Sequence, residues 1–131
     1  MPNRQLISSG TPWETFVAYS RAVRVGDLIE VSGTTAMNGD ILVGEGSFYE
    51  QTRFILQKIK ATLEQAGSSL AEVVRTRMYV TDISQWEEVG RAHGEVFGDI
   101  RPAASMVQVS ALIDPRLLVE IEVTAVAGPK E

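Results

Sequence analysis

Apolar positions along this chain follow two periods, and each change of period marks an element. Arg4 to Ile7 reads as a short strand, and Ser8 to Pro12 as a turn-rich loop. Ala18 to Val25 and Leu28 to Ser32 are β-prone segments joined at Gly26-Asp27, which is hairpin spacing. Gly33 closes the second of them, and Asn38-Gly39-Asp40 makes a further turn before the short apolar piece Ile41 to Val43. The period then changes to 3.6. Ser47-Phe48-Tyr49-Glu50 has the Ser-x-x-Glu form of a capping box, in which hydroxyl and carboxylate each satisfy an orphan amide. Behind it Thr52, Ile55, Leu56, Ile59 and Leu63 recur at helical spacing, while Gln51, Arg53, Lys58, Lys60 and Glu64 fall mainly off that stripe. Gly67 supplies the stop.

Ser69 with Glu72 repeats the capping pattern for a single turn, and strand alternation returns at Val74, Thr76, Met78 and Val80. Ser84 with Glu87 makes a third capping box. It opens a helix with Trp86, Val89, His93 and Val96-Phe97 on one face. Gly98 ends that helix and Arg101-Pro102 prevents its return. Ala103 to Ser110 is a strand, Asp114-Pro115 a turn, and Leu118 to Ala127 the longest strand. In the last, Val119, Ile121, Val123 and Ala125 face one way and Glu120, Glu122 and Thr124 the other.

This order predicts one α+β domain over residues 1–131: a six-stranded mixed sheet with two amphipathic helices on one face. The second sheet face must also be covered. Ala18, Val31, Met106 and Val126 are expected to leave apolar surface there, which points to subunits packed sheet to sheet.

Composition narrows the chemistry. The 131 residues are 44% hydrophobic and 22% charged, which is globular rather than disordered. Cysteine is absent and His93 is the one histidine, so disulfides, thiolate nucleophiles and Cys-ligated zinc are excluded. A general acid or base must be His93, a carboxylate, a lysine, a tyrosine or water. The net charge of −5 makes nucleic acid an unlikely partner. No leader pattern follows Met1, and no apolar run is long enough to span a bilayer, so a cytoplasmic protein is expected.

Two stretches carry a resemblance. Tyr19 to Gly33, with its Gly26-Asp27 turn and its Ser32-Gly33 pair, resembles the first signature of the Rid family of reactive intermediate deaminases, also called YjgF. Arg101-Pro102-Ala103-Ala104-Ser105-Met106, followed by Val119-Glu120-Ile121-Glu122, resembles its second. The resemblance implies a chorismate-mutase-like fold and a homotrimer, with the three sheets forming a central barrel and clefts between subunits. It also implies hydrolysis of enamines and imines to keto acid and ammonia, with no metal or bound cofactor. Tyr19, Ser32, Gly33 and Glu120 fall on the family's cleft positions. Gly33 offers close approach to its backbone, Tyr19 a hydroxyl, and Glu120 an acid or base.

Three positions depart from the family pattern. The arginine that grips a substrate carboxylate is Ala104, an asparagine of the second helix is Gly90, and a position often Cys is Met106. The cleft then becomes larger and more apolar, and a small 2-imino acid is not its preferred ligand. A hydrolase or deaminase acting on another metabolite and a non-enzymatic trimer that binds a metabolite both fit these residues. The ribonuclease label of some relatives does not fit the acidic charge. His93, one turn after Gly90, is read as a packed core histidine, with a ligand-binding role as the alternative. Arg101 replaces the lost cation only if a bend precedes its strand. Arg21, Arg75, Arg77 and Arg91 are expected as solvated surface charges. Trp13 and Glu14 lie in a loop, the indole either a lid or an anchor for the first strand. Glu120 and Glu122 share a strand face about 7 Å apart and can divide acid and base roles. Ser32 has no visible His-Asp partner and is not read as a nucleophile.

Overall fold

The computed structural model describes residues 3–128. Its sheet has six strands in the order β1 (Arg4–Ile7), β2 (Ala22–Val25), β3 (Leu28–Thr34), β8 (Val119–Val126), β6 (Val73–Val80) and β7 (Ala103–Gln108), while β4 (Met37–Asn38) and β5 (Ile41–Leu42) form a separate antiparallel pair. All neighbours are antiparallel except β6 and β7, which run parallel and are joined across helix α3 (Trp86–Phe97). Helix α2 (Phe48–Gln65) packs on β3 and β8 with α3 beside it. The expected two-layer α+β architecture is therefore present. Ile29, Val31, Met78, Val80, Val119, Ile121 and Val123 meet Ile55, Leu56, Ile59, Leu63, Val89 and Phe97 in one core. Burying a side chain of this size stabilises by about 1.5–3 kcal/mol.

The start of α2 obeys its capping signal: the Glu50 amide donates to Ser47 Oγ at 3.0 Å. Gly67 after its end has φ +83, as a C-terminal stop requires. The other two capping patterns do not act as such. Ser69 leads only a 3-10 turn, Leu70–Glu72, without side-chain capping. Ser84 lies inside a 3-10 turn, Ile83–Gln85, whose cap Asp82 accepts from the Ser84 amide at 3.0 Å and the Ser84 hydroxyl at 2.7 Å; α3 itself follows Gln85 without side-chain capping, and Trp86 is exposed rather than inward.

Several further expectations are corrected. Trp13 and Glu14 lie on a short helix, α1 (Pro12–Val17), rather than a loop. Pro12 presets its first turn, and the buried Glu14 carboxylate gathers the hydroxyls of Ser8, Ser9 and Thr11. Those donors hold its carboxyl below the ordinary range, against the opposing effect of burial. Ala18 ends the helix at φ 71, so β2 begins only at Ala22. Val31 belongs to the core, and Met106, paired with Met78, is half-buried beside it. Gln51 is fully buried despite lying off the helical stripe. Its amide donates to the carbonyls of Gly44 and Arg116 and accepts from the Leu118 amide at 2.8 Å, pinning the segment before β8. Val126 does leave apolar surface on the other sheet face, as expected, and is joined there by Leu6, Val25 and Leu28, on β1, β2 and β3; Leu28 stands directly opposite both Val25 and Val126.

Candidate functional site

The β3–β8 ladder is interrupted where the first signature ends. Val31 pairs with Val123 and Thr34 with Ile121, so Ser32 and Gly33 together stand opposite Glu122 alone. Such a bulge re-aims the backbone locally. The absence of a side chain at Gly33 admits the Glu120 carboxyl group: an added Cβ would stand 2.8 Å from Glu120 Cδ and 3.2 Å from Cγ. The Glu120 carboxyl thus lies directly against the glycine backbone. Ser32 donates its hydroxyl to the Ser20 carbonyl at 2.6 Å, which ties the start of β2 to β3 and leaves it no nucleophilic role.

Glu120 and Glu122 share the open face with unlike surroundings. Glu122 accepts from the Tyr79 hydroxyl at 2.7 Å and faces Arg77 Nε at 3.9 Å. Glu120 is half-buried, receives no hydrogen bond from the described residues, and is pushed up by burial and then by the Glu122 charge; Arg21 opposes both. A half-buried carboxyl group whose surroundings favour its protonated form suits an acid–base role.

Arg21 is the residue that sequence reasoning misplaced. It is buried, not a solvated surface charge. Its Nη2 donates to the Gly33 carbonyl at 2.8 Å, and its Cζ lies 5.7 Å from the centre of the Tyr19 ring. Lys58 was also missed. Its ammonium donates to the carbonyls of Thr35 (2.9 Å) and Met37 (2.7 Å), and burial, then Arg21, pulls it down to about 8. A signal existed for it: Lys58 sits three and four positions from Ile55 and Thr62, both buried on α2. Nothing in the local pattern distinguishes Arg21 from its neighbours. Of the other arginines, Arg75 donates to Ser105 Oγ at 2.7 Å on the open face and is half-buried, while Arg91 is exposed over the Tyr49 ring.

A second group lies at the β6–β7 edge under α3. His93 Nε2 bonds Thr76 Oγ1 at 2.9 Å and its ring stacks 4.7 Å from Phe97. Burial pulls the imidazole below its ordinary value, so the packed reading fits its contacts. Ala104 pairs with Thr76 and is exposed, and the space beside Gly90 is open, with Trp86 Cε3 3.9 Å from a built Cβ. Arg101 does occupy a bend, at φ 57, and is exposed.

Tyr19, Ser32, Gly33 and Glu120 are therefore brought together, and so are Gly90, His93, Ala104 and Met106, but one chain does not join the two groups. Ala104 is in register with Thr76 on the helix side, and Glu120 with Tyr79 on the open side. Among the described residues no three acidic or histidine side chains converge as a metal site needs, and no helix is long and apolar enough to cross a membrane.

The comparisons agree with this geometry. A solved structure from Mycobacterium tuberculosis, described as a member of the YjgF/YER057c/UK114 family, is 53% identical and superposes with a TM-score of 0.87, covering 95% of this chain and 100% of that one. An uncharacterized protein of Streptomyces coelicolor is 40% identical over 93% of this chain and 91% of its own length. The 3-aminoacrylate deaminase RutC of Acinetobacter baylyi is 32% identical over 92% of this chain and 95% of its own. Residues 10–127 match the family described as Endoribonuclease L-PSP, and with the bulge, the Gly33–Glu120 contact and the sheet order already in place, the chain belongs to that family, also known as YjgF or Rid.

Proposed function

We propose that this chain forms a homotrimer whose intersubunit clefts bind a small metabolite and hydrolyse its C–N bond in the manner of an enamine or imine deaminase. The observation that carries the reading is Glu120: half-buried, raised by its surroundings, without a hydrogen-bond donor among the described residues, and held against Gly33. In the proposed step, water adds to the imine carbon as Glu120 takes its proton. The same group returns that proton to the nitrogen, giving a carbinolamine; the hydroxyl proton then passes to the nitrogen through Glu120 as the C–N bond breaks, so ammonia leaves and a carbonyl remains. The separation of the Ala104 group from the Glu120 group within one chain supports a cleft completed by a neighbouring copy, and the exposed Leu6, Val25, Leu28 and Val126 support sheet-to-sheet assembly. The similarity to a named 3-aminoacrylate deaminase supports the reaction class.

Ala104 removes the bidentate grip that an arginine gives a carboxylate, so small 2-imino acids are poor substrates in this reading. An amino-acid oxidase generating imines in the presence of the purified protein tests it. Keto-acid release from small amino acids should stay near the buffer rate, while imines of larger or aromatic amines should be hydrolysed faster, with the gain lost in Glu120→Gln. Hydrolysis of none of them, with a ligand retained in the cleft, would instead establish a non-enzymatic metabolite-binding trimer, a reading that Ala104 also favours.

A further inference from the structure

The Arg21 guanidinium is a buried charge without an ion pair among the described residues. The residue keeps only 9% of its surface, yet one neutral carbonyl, that of Gly33, is its single hydrogen-bond acceptor among them. Nε is enclosed without a partner, and among the described residues no carboxylate lies within 4.0 Å of it. A guanidinium stays protonated at any working pH, so it cannot escape burial by neutralising. Removing such a charge from water is costly unless an opposite charge meets it. Lys58 makes the deficit larger, since its ammonium lies close enough for the two cations to repel. Glu120 touches the same glycine from the other side but does not reach ion-pair distance.

We infer that Arg21 is the anion anchor of this cleft: with Tyr19 and the Gly33 bulge it receives the carboxylate of a small-molecule ligand, from the wall opposite the position that Ala104 vacates. The inference rests on the proposed cleft but not on turnover. It assigns the ligand a chemical class, an organic monocarboxylate. It also fixes polarity, with the anionic end at the Tyr19–Arg21 wall beside Glu120 and the apolar remainder directed toward Ala104, Met106 and Gly90.

Calorimetric titration of the assembled protein with pentanoate, and with pentanamide as its neutral counterpart, tests the assignment. The wild type should bind the acid at least tenfold more tightly than the amide. Arg21→Gln should abolish that preference, and Arg21→Lys, which keeps the charge without the fork, should retain part of it. Arg91→Gln, a cation outside the cleft, should change nothing. Equal binding of acid and amide, no binding of either, or an unaltered preference in a folded Arg21→Gln protein would each overturn the assignment. So would dissociation of the oligomer in both Arg21 variants without charge-selective binding in the wild type, since the counter-charge would then be a neighbouring copy's carboxylate. Charge-selective, Arg21-dependent binding with no C–N hydrolysis would uphold the anchor while refuting the hydrolase.

Discussion

Replacing Gly33 by alanine tests whether the Glu120–backbone contact matters to function rather than to folding. The new methyl group would stand 2.8 Å from Glu120 Cδ, and the obstacle is the far end of a flexible side chain. The carboxyl group must retreat by roughly 1 Å to reach an ordinary carbon–carbon separation of about 3.5–4.0 Å. Yielding of that kind sits at the low end of overpacking costs, about 1 kcal/mol. Gly33 has no positive φ, so the loss of unfolded-state entropy returns about 0.4–1 kcal/mol. The net effect on stability is near zero, a Tm change of only a few degrees. A 1 Å displacement of an acid–base group, by contrast, costs about 100-fold in rate. Differential scanning calorimetry beside C–N hydrolysis kinetics reads both quantities. Titration of 13C-labelled glutamate by NMR should in addition show the Glu120 signal moving toward an ordinary carboxylate. A folded Gly33→Ala protein with wild-type kinetics and an unshifted Glu120 titration would refute the reasoning.

Other consequences are as specific. Glu120 is raised above 4.5 in the folded chain, so the native state holds its proton more tightly; the stability this gives is complete below 4.5 and is lost as pH climbs through the raised value. Glu120→Gln should therefore be inactive yet more stable than the wild type at pH 7 in urea denaturation, the difference vanishing near pH 4. Thr76→Val removes the partner of His93 Nε2 in a fully buried position and should cost about 1–3 kcal/mol by the same assay. Leu28→Asp places a charge amid Val25 and Val126 on the open face; light scattering should find this variant at one third of the wild-type mass, as the proposed trimer requires.

Long-range periodicity carried most of the fold into the sequence. The stripe of α2 and the alternation of β6 and β8 are burial signals, and burial decided those elements. Local hydrogen-bond chemistry was less legible. Asp82 caps a 3-10 turn that takes Ser84 away from the start of α3, and Glu14 gathers three hydroxyls at the start of α1; several polar side chains stand in each of these segments, and spacing alone does not say which pairs form. The site was legible where motifs named it, as at Gly33 and Glu120. Arg21 escaped because its burial comes from the β3 bulge folding over the start of β2, and its charge pattern on paper equals that of Arg75 or Arg91. Gln51 escaped for a related reason: its partners, Gly44 and the segment before β8, come from distant parts of the chain.

The place of β8 in the sheet governs how the chain can be made. Val31 pairs with Val123 about 90 positions later, and closing a loop of that length costs about 4 kcal/mol of chain entropy. The last of the six strands in sequence and central in space, β8 is the second partner of both β3 and β6. A nascent chain therefore carries two half-sheets, each with a bare hydrogen-bonding edge, until β8 is released from the ribosome. The sheet cannot close before that point, and truncation before Val119 should yield aggregate rather than a smaller domain.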